Sequence, residues 1–185
     1  MDAEVRGDLR FQSGRGAAER QVLEQKYAAL WSEFGPSMIR LAASYDALPQ
    51  TQEDLLQDIR LAIWIALPRF RGDSSLRTFV YRIAHNRGLT HVWRKRSGSF
   101  VGLEGLDLAD PKQGPEEIVI GNLDQDRLQA AIRLLPLPMM QVITLALEEI
   151  PHREIAAILG TSEGNVAVRL TRARGLLRQK LGESE

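Results

Sequence analysis

The sequence predicts an all-α protein with two small helical domains joined by a flexible acidic linker. Three observations favour this fold class. Apolar residues recur at helical spacing through most of the chain. An aperiodic stretch over residues 97–114, rich in polar and helix-breaking residues, separates the two periodic regions. Charged residues are grouped in blocks of one sign. A chain of 185 residues that is 44% hydrophobic is long enough to form two such cores.

These patterns divide the chain into four segments. They are a mobile N-terminal tail over 1–16, a first helical domain over 17–96, the linker over 97–114 and a second helical domain over 115–185.

Composition and charge exclude several classes of protein. The chain has no cysteine, which excludes disulfides and cysteine-based zinc sites. No apolar run reaches the roughly 18 residues of a membrane span, and the N-terminus lacks the apolar core of a signal peptide. We therefore expect a soluble cytoplasmic protein without membrane insertion. The net charge is zero, but basic blocks over 60–96 and 169–180 flank an acidic block over 104–126. This arrangement suggests two polyanion-binding modules and a self-masking or partner-facing segment between them.

In the first domain, Gly35-Pro36 is predicted to separate a helix over 17–34 from a helix over 37–48. Thr51 is predicted to start the next helix, with Asp54 completing a capping box, and Pro68 to end it. The core stripe of this helix is Leu55, Ile59, Ala62, Ile63 and Ala66.

A further helix is predicted over 75–94, with Ser74 as its N-cap and an interruption at Gly88 that costs about 1 kcal/mol relative to Ala. Its buried seam is predicted to be Leu76, Val80, Ile83 and Ala84, while Arg77, Tyr81, Arg82, His85 and Asn86 surround the rest of the helix. Arginines mixed with aromatic rings are typical of surfaces that bind single-stranded nucleic acid. The alternative is that Phe79, Tyr81 and Trp93 are simply core residues.

The second domain is predicted to hold helices over 116–134, 136–150 and 154–159, followed by a recognition-type helix after the N-cap Ser162. Ala156, Gly160 and Val166 have helix-turn-helix spacing: a small residue at the helix crossing, a glycine in the turn and an aliphatic residue beneath the second helix. The buried seam of the last helix is predicted to be Val166, Leu170, Ala173 and Leu177, and its outward face presents Arg169, Thr171, Arg172 and Arg174.

Both halves resemble one family. The stretch DLLQDIRLAIWIALPRFRGDSSLRTFVYRIAHNRGLTHVWRKR resembles region 2 of the extracytoplasmic-function (ECF, group 4) sigma factors, in the sigma-70 family of bacterial RNA polymerase. The stretch LPLPMMQVITLALEEIPHREIAAILGTSEGNVAVRLTRARGLLRQKL resembles their region 4. The resemblance covers most of residues 20–181 and implies a promoter-specific transcription initiation factor, not an enzyme.

The resemblance also implies partners and site residues. The expected partners are core RNA polymerase, through its β′ clamp helices and β flap, promoter DNA and an anti-sigma factor; no cofactor, metal or catalytic residue is expected. Core polymerase binding is assigned to Asp54, Gln57, Asp58 and Trp64. Minus-ten DNA binding, with flipped bases, is assigned to Arg71, Arg77, Thr78, Phe79, Tyr81, Arg82, His85 and Asn86. Minus-thirty-five DNA binding is assigned to Thr161, Ser162, Glu163, Asn165, Ala167, Val168, Arg169, Thr171, Arg172 and Arg174.

The chain departs from the family pattern at several of these positions. The family usually has Trp where this chain has Phe79, and it commonly has Thr, a polar or basic residue, and Ser where this chain has Asn165, Ala167 and Val168. Ala and Val can contact thymine methyl groups, but they cannot donate to guanine. We therefore expect a reader that relies on Arg172, Arg169 and methyl contacts.

Other classes of function are less well supported. His85 and His91 lie six residues apart on one helix and point in different directions, so they form a poor metal pair, and no phosphate loop or nucleophile motif is present. A stand-alone helix-turn-helix regulator, with an N-terminal dimerisation or sensing domain, has no need of the Arg- and aromatic-rich helix over 75–94. A chain tuned mainly for sequestration by a protein partner, with the acidic linker in that interface, is compatible with either function.

Overall fold

The computed structural model describes residues 3–98 and 123–182, with side chains over 18–96 and 124–182. The described residues are mostly helical and contain no strand. The α-helices are α1 (Ala3–Tyr45), α2 (Pro49–Ala66), α3 (Leu76–Gly98), α4 (Leu123–Arg133), α5 (Leu137–Leu147), α6 (His152–Leu159) and α7 (Glu163–Leu181), with a 3-10 helix at Leu67–Arg69. The all-α prediction is confirmed. The linker over 97–114 and the acids over 104–117 lie outside the residues whose side chains are described.

Helices α1, α2 and α3 form the N-terminal bundle, and α4 to α7 form the C-terminal bundle. The predicted seam residues Leu55, Ile59 and Ile63 are buried between α2 and its neighbours. In the C-terminal bundle, Val166, Leu170 and Ala173 of α7 pack with buried residues of α4, α5 and α6. The bundles also contact each other, mainly through α3 with α6 and α1 with α4, so buried apolar residues of both belong to one continuous cluster.

The predicted helix break at Gly35-Pro36 is wrong. Helix α1 continues through Pro36, because Phe34, Met38 and Leu41 are buried on either side of it and this packing outweighs the lost backbone hydrogen bond. Gly35 leaves room for the Trp31 indole: a Cβ at this position would lie 3.0 Å from Trp31 Nε1. The same helix begins at Ala3, within the segment that we predicted to be a mobile tail.

Two predicted helix caps are also corrected. Helix α2 begins at Pro49 after the N-cap Leu48, and the Thr51 hydroxyl donates to Leu48 O at 2.9 Å, so Thr51 does not start a capping box. In α3, Ser75 performs the role assigned to Ser74, because Ser75 Oγ accepts a hydrogen bond from Thr78 N at 3.0 Å. The predicted end of α2 before Pro68 is confirmed.

Gly88 does not interrupt α3, which continues to Gly98. A Cβ at residue 88 would overlap the ring of Tyr45, whose side chain crosses α3 at this point. The glycine therefore permits close packing of α1 on α3.

Buried polar groups fix the end of α1 near α3. The carboxylate of Asp46 accepts hydrogen bonds from Leu48 N at 3.1 Å and from Lys95 Nζ at 3.1 Å, and it contacts His91 Nε2 at 2.8 Å. Burial alone would raise the pKa of Asp46, but the contacts of His91, Leu48 and Lys95 outweigh it and hold the pKa below its usual range.

Candidate nucleic-acid interface

One face of α2 is exposed and mixes carboxylates with aliphatic side chains. Asp54, Gln57 and Asp58, all predicted polymerase contacts, are exposed, and Asp58 Oδ2 lies 3.4 Å from Arg94 Nη1. Leu61 and Ile65 continue the same stripe and are each 58% exposed. Exposed aliphatic residues beside charged ones on a helix are typical of a protein-docking surface. The sequence analysis did not assign Leu61 and Ile65 to this surface. Their positions outside the predicted core stripe were the signal that could have identified them.

Trp64, the fourth predicted polymerase contact, is half-buried at the flank of this stripe. Its ring packs edge-on against Tyr27 of α1, with the two ring centroids 5.2 Å apart. Trp64 therefore holds α1 and α2 together as well as contributing to the surface.

A groove between α2 and α3 combines an apolar floor with a cationic rim. It has a volume of about 410 Å³ and is lined by Ile65, Phe79 and Asn86, with Arg69 and Arg87 at its edge. The ring of Phe79 is partly buried and lies 4.8 Å from that of Phe70. An apolar recess beside guanidinium groups has the chemistry that an unstacked base and its phosphates require. Arg69 and Arg87 were not among the predicted site residues; the groove that they border identifies them.

The other predicted minus-ten residues divide into exposed and buried groups. Arg71, Arg77, Arg82 and Asn86 are exposed, whereas Thr78 and Tyr81 are buried in this structure. The ring of Tyr81 packs edge-on against Phe34 at 6.3 Å, and burial raises the pKa of its hydroxyl. Tyr81 therefore joins α1 to α3 as a core residue, in line with the alternative noted above.

His85 was predicted to lie outside the buried seam of α3, and this placement is wrong because the side chain does not face solvent. The side chain is 2% exposed, and its Nδ1 lies 2.8 Å from the hydroxyl of Tyr45. Burial lowers the pKa of His85 from 6.5 to about 3, which keeps the imidazole neutral at physiological pH. The 3.6-residue period places position 85 between Tyr81 and Gly88 on the side of α3 that contacts α1. His85 is therefore a core residue in this arrangement.

The helix-turn-helix geometry predicted for α6 and α7 is confirmed. Gly160 has φ 63°, in the left-handed region that glycine favours, and Thr161 N donates to Ala156 O at 3.0 Å. Ser162 caps α7, because its Oγ accepts a hydrogen bond from Asn165 N at 3.2 Å. Val166 is fully buried beneath the turn.

The outward face of α7 presents most of the predicted minus-thirty-five residues. Val168 is 49% exposed and forms a shallow depression with Ala167, Thr171 and Arg172. The hydroxyl of Thr171 donates to Ala167 O at 3.0 Å, which leaves its lone pairs free to accept. The remaining predicted residues are at least partly exposed on the turn and along the helix: Thr161, Ser162, Glu163, Asn165, Arg169 and Arg174.

Three predicted minus-ten residues contact the C-terminal bundle. Arg77 and Thr78 hydrogen-bond Glu154 of α6, and Arg82 Nη2 donates to Ala157 O at 2.7 Å. The basic side of α3 is therefore partly covered in this structure.

No group of three or more potential metal ligands occurs among the residues that the structure describes. In the same part of the chain, no helix is both long and apolar enough to cross a membrane.

Family models match both halves of the chain. Sigma-70 region 2 matches residues 30–98 and sigma-70 region 4 matches residues 125–177. These segments contain the α2–α3 groove and the helix-turn-helix, respectively.

Similar proteins extend over most of the chain. The RNA polymerase sigma factor CnrH of Cupriavidus metallidurans is 31% identical over 165 residues, which cover 83% of this chain and 85% of that protein. NccH of Alcaligenes xylosoxydans xylosoxydans is 29% identical over 91% of this chain and 94% of its own length, and the ECF sigma-E factor of Escherichia coli is 28% identical over 69% and 72%.

Two solved structures share the fold at 23% sequence identity. CnrH in complex with the cytosolic domain of CnrY has a TM-score of 0.64 and aligns with 88% of this chain and 91% of its own. The sigma factor RpoE in complex with the anti-sigma factor NepR from Bartonella quintana has a TM-score of 0.68, covering 88% and 98%. Together, the two matched regions and the full-length relatives establish that this chain belongs to the ECF sigma factors of the sigma-70 family.

Proposed function

We propose that this sigma factor binds core RNA polymerase through α2, recognises and melts the minus-ten promoter element through the groove between α2 and α3, and reads the minus-thirty-five element through α7. The observation that carries the proposal is the groove itself. It lies in the region 2 segment and combines a partly exposed ring, an exposed amide and two arginines.

The exposed stripe of α2 is the proposed docking surface for the β′ clamp helices. Asp58 supplies charge and Leu61 and Ile65 supply apolar area, so the surface suits a partner with basic and aliphatic groups. A second contact, between the C-terminal bundle and the β flap, follows from the family resemblance alone and stays a prediction.

The α2–α3 groove is proposed to receive a flipped base of the non-template strand. Phe79 offers a stacking surface worth about 1–3 kcal/mol per base, and Asn86 offers both a donor and an acceptor for a base edge. Arg69 and Arg87 lie where they would neutralise the adjoining phosphates.

Helix α7 is proposed to enter the major groove with Val168, Thr171 and Arg172 toward the base edges. Arg172 is the side chain in this set that can make a bidentate contact with guanine, and Val168 suits a thymine methyl group.

Control by an anti-sigma factor is also proposed. CnrH and the Bartonella RpoE are each described in complex with another protein, and for RpoE that protein is named as an anti-sigma factor. A partner that covers the exposed stripe of α2 would block polymerase docking directly.

Run-off transcription tests the proposal. Core polymerase is incubated with and without the protein on a library of promoter fragments, and the aligned start sites yield both recognition elements. Asp58→Arg is expected to abolish initiation, while Glu24→Arg, on the exposed surface of α1, is expected to retain it. Absence of initiation together with binding of the free protein to duplex DNA would instead favour a stand-alone helix-turn-helix regulator.

A further inference from the structure

Glu154 of α6 is held by three side chains of the α3 end of the N-terminal bundle. Its Oε1 accepts hydrogen bonds from Ser75 Oγ and Thr78 Oγ1, both at 2.8 Å. Its Oε2 accepts from Arg77 Nε at 3.0 Å and also from Arg77 Nη2. The hydrogen bonds from Arg77, and those from Ser75 and Thr78, lower the pKa of Glu154 to about 2, so the carboxylate is ionised at neutral pH.

The three donors form an anion site of the kind that binds DNA phosphates. Arginine guanidinium groups and serine or threonine hydroxyls are the usual side-chain donors to phosphate oxygens. Arg77 and Thr78 are also among the residues that the sequence resemblance assigns to minus-ten DNA binding. The carboxylate of Glu154 thus occupies a position that a backbone phosphate would fill.

The surrounding contacts show that Glu154 belongs to a wider polar interface between the bundles. Arg82 of α3 donates to Ala157 O of α6. Arg40 of α1 makes a bidentate contact with Glu148, with two nitrogen–oxygen distances of 2.7 Å. Gln141 of α5 also donates to the hydroxyl of Tyr45 at 3.3 Å. These bonds join the bundles at several points and define one specific packing of the two bundles, which we call the closed arrangement.

This closed arrangement cannot read two promoter elements at once. Helix α7 packs directly on α6, and α6 packs on α3, so the recognition helix lies within a few tens of ångströms of the minus-ten groove. Elements centred about 25 base pairs apart are separated by roughly 85 Å of duplex at 3.4 Å per base pair. Simultaneous recognition therefore requires α6 to leave α3.

We propose that Glu154 is an autoinhibitory group whose carboxylate fills the anion site of Ser75, Arg77 and Thr78 in the free chain, and that a backbone phosphate of promoter DNA replaces it when the bundles separate. The inference deepens the proposed function and rests on it for the identity of the DNA. The charge blocks of the sequence suggested that an acidic segment masks a basic one. In this proposal the masking residue is Glu154, which lies in the C-terminal bundle and not in the linker.

Two readouts test the proposal in the full-length protein. Because the chain has no cysteine, Gln25→Cys on α1 and Gln179→Cys on α7 allow site-specific attachment of two dyes, and energy transfer between them reports bundle separation. Affinity for a short single-stranded oligonucleotide of random sequence, without polymerase, reports access to the anion site. The same oligonucleotide with uncharged methylphosphonate linkages separates phosphate binding from base binding.

Glu154→Gln is the main variant and Glu149→Gln is its matched control. Both remove one negative charge from the C-terminal bundle, but Glu149 is exposed. Glu154→Gln is expected to lower energy transfer and to tighten binding of the phosphate-containing strand by about fivefold over Glu149→Gln, with no gain for the methylphosphonate strand. Arg77→Gln is expected to lower energy transfer as well, but to weaken DNA binding, because it removes part of the anion site.

Equal energy transfer and equal affinity for Glu154→Gln and Glu149→Gln would overturn the proposal. Lower energy transfer without tighter phosphate binding would overturn the claim that carboxylate and phosphate compete. Run-off transcription with the same variants separates this inference from the proposed function. If Glu154→Gln opens the chain and gains affinity while no variant initiates transcription, the autoinhibitory contact stands and the proposed function fails.

Discussion

Helices α3 and α7 carry the two proposed DNA-binding faces, and the structure presents them differently. Val168, Thr171 and Arg172 of α7 point outward from a helix whose buried seam packs within its own bundle. Arg77, Thr78 and Arg82 of α3 instead contact α6 of the other bundle. The structure therefore leaves this face of α7 exposed and partly covers that of α3, so under the proposed function α3 must be released before it can contact DNA.

The largest effect expected at neutral pH comes from a glycine-to-alanine substitution in α3, compared with the same substitution in α7. Gly88→Ala forces a Cβ into the ring of Tyr45 and is expected to destabilise the protein by about 3 kcal/mol. Gly175→Ala adds a Cβ that meets nothing within 4 Å and is expected to stabilise α7 by about 1 kcal/mol. Urea unfolding measures both, and effects of the same sign would contradict the packing described for α3.

The second prediction concerns the exposed face of α7. Arg172→Ala is expected to reduce discrimination between cognate and scrambled duplex DNA by about 2 kcal/mol, roughly thirtyfold, because a base contact is lost. Arg178→Ala, in the last turn of the same helix, is the control for general charge loss. The assignment fails if Arg172→Ala weakens binding to both duplexes equally.

The third prediction uses the buried histidine of α3. The unfolded chain binds a proton at His85 below about pH 6.5, whereas the folded chain does so only near pH 3. The free energy of unfolding is therefore expected to fall by about 1.4 kcal/mol per pH unit as the pH drops from 6.5 towards 3. The fall ends where His85 is protonated in the folded protein as well.

Urea unfolding at several pH values measures this slope. His85→Gln, which keeps an acceptor for Tyr45 but does not titrate, is expected to remove the contribution. His152→Gln, on an exposed position of α6, is the matched control. Identical slopes for the two variants would refute the role assigned to His85.

The smallest expected effect concerns polymerase docking. Leu61→Ser is expected to weaken binding to core polymerase by about 1 kcal/mol, roughly fivefold, without lowering the unfolding temperature, because the side chain is already exposed. Val22→Ser, which alters an exposed aliphatic residue of α1, is the control. Equal polymerase affinity of the two variants would remove Leu61 from the docking surface.

Local signals in the sequence predicted the C-terminal bundle well. The turn at Gly160, the cap at Ser162 and the seam through Val166 each depend on neighbours within a few residues, so spacing alone identifies them. The exposed face of α7 follows directly from that seam.

The N-terminal bundle was predicted less completely because long-range packing decides it. Pro36 lies inside a helix only because residues around it are buried by α2 and α3, and His85 is buried by Tyr45, which lies 40 residues away. The contact of Arg77 with Glu154 joins residues 77 apart in the chain. No local pattern contains such pairings, and the cover over α3 became visible only in the folded structure.

Separation of the two bundles during initiation can be followed by energy transfer between dyes at positions 25 and 179 while core polymerase and promoter DNA are added in turn. We expect high transfer in the free protein and low transfer in the initiating complex, because α6 must leave α3 before both elements are bound. High transfer that persists in a complex actively producing run-off transcript would contradict this expectation.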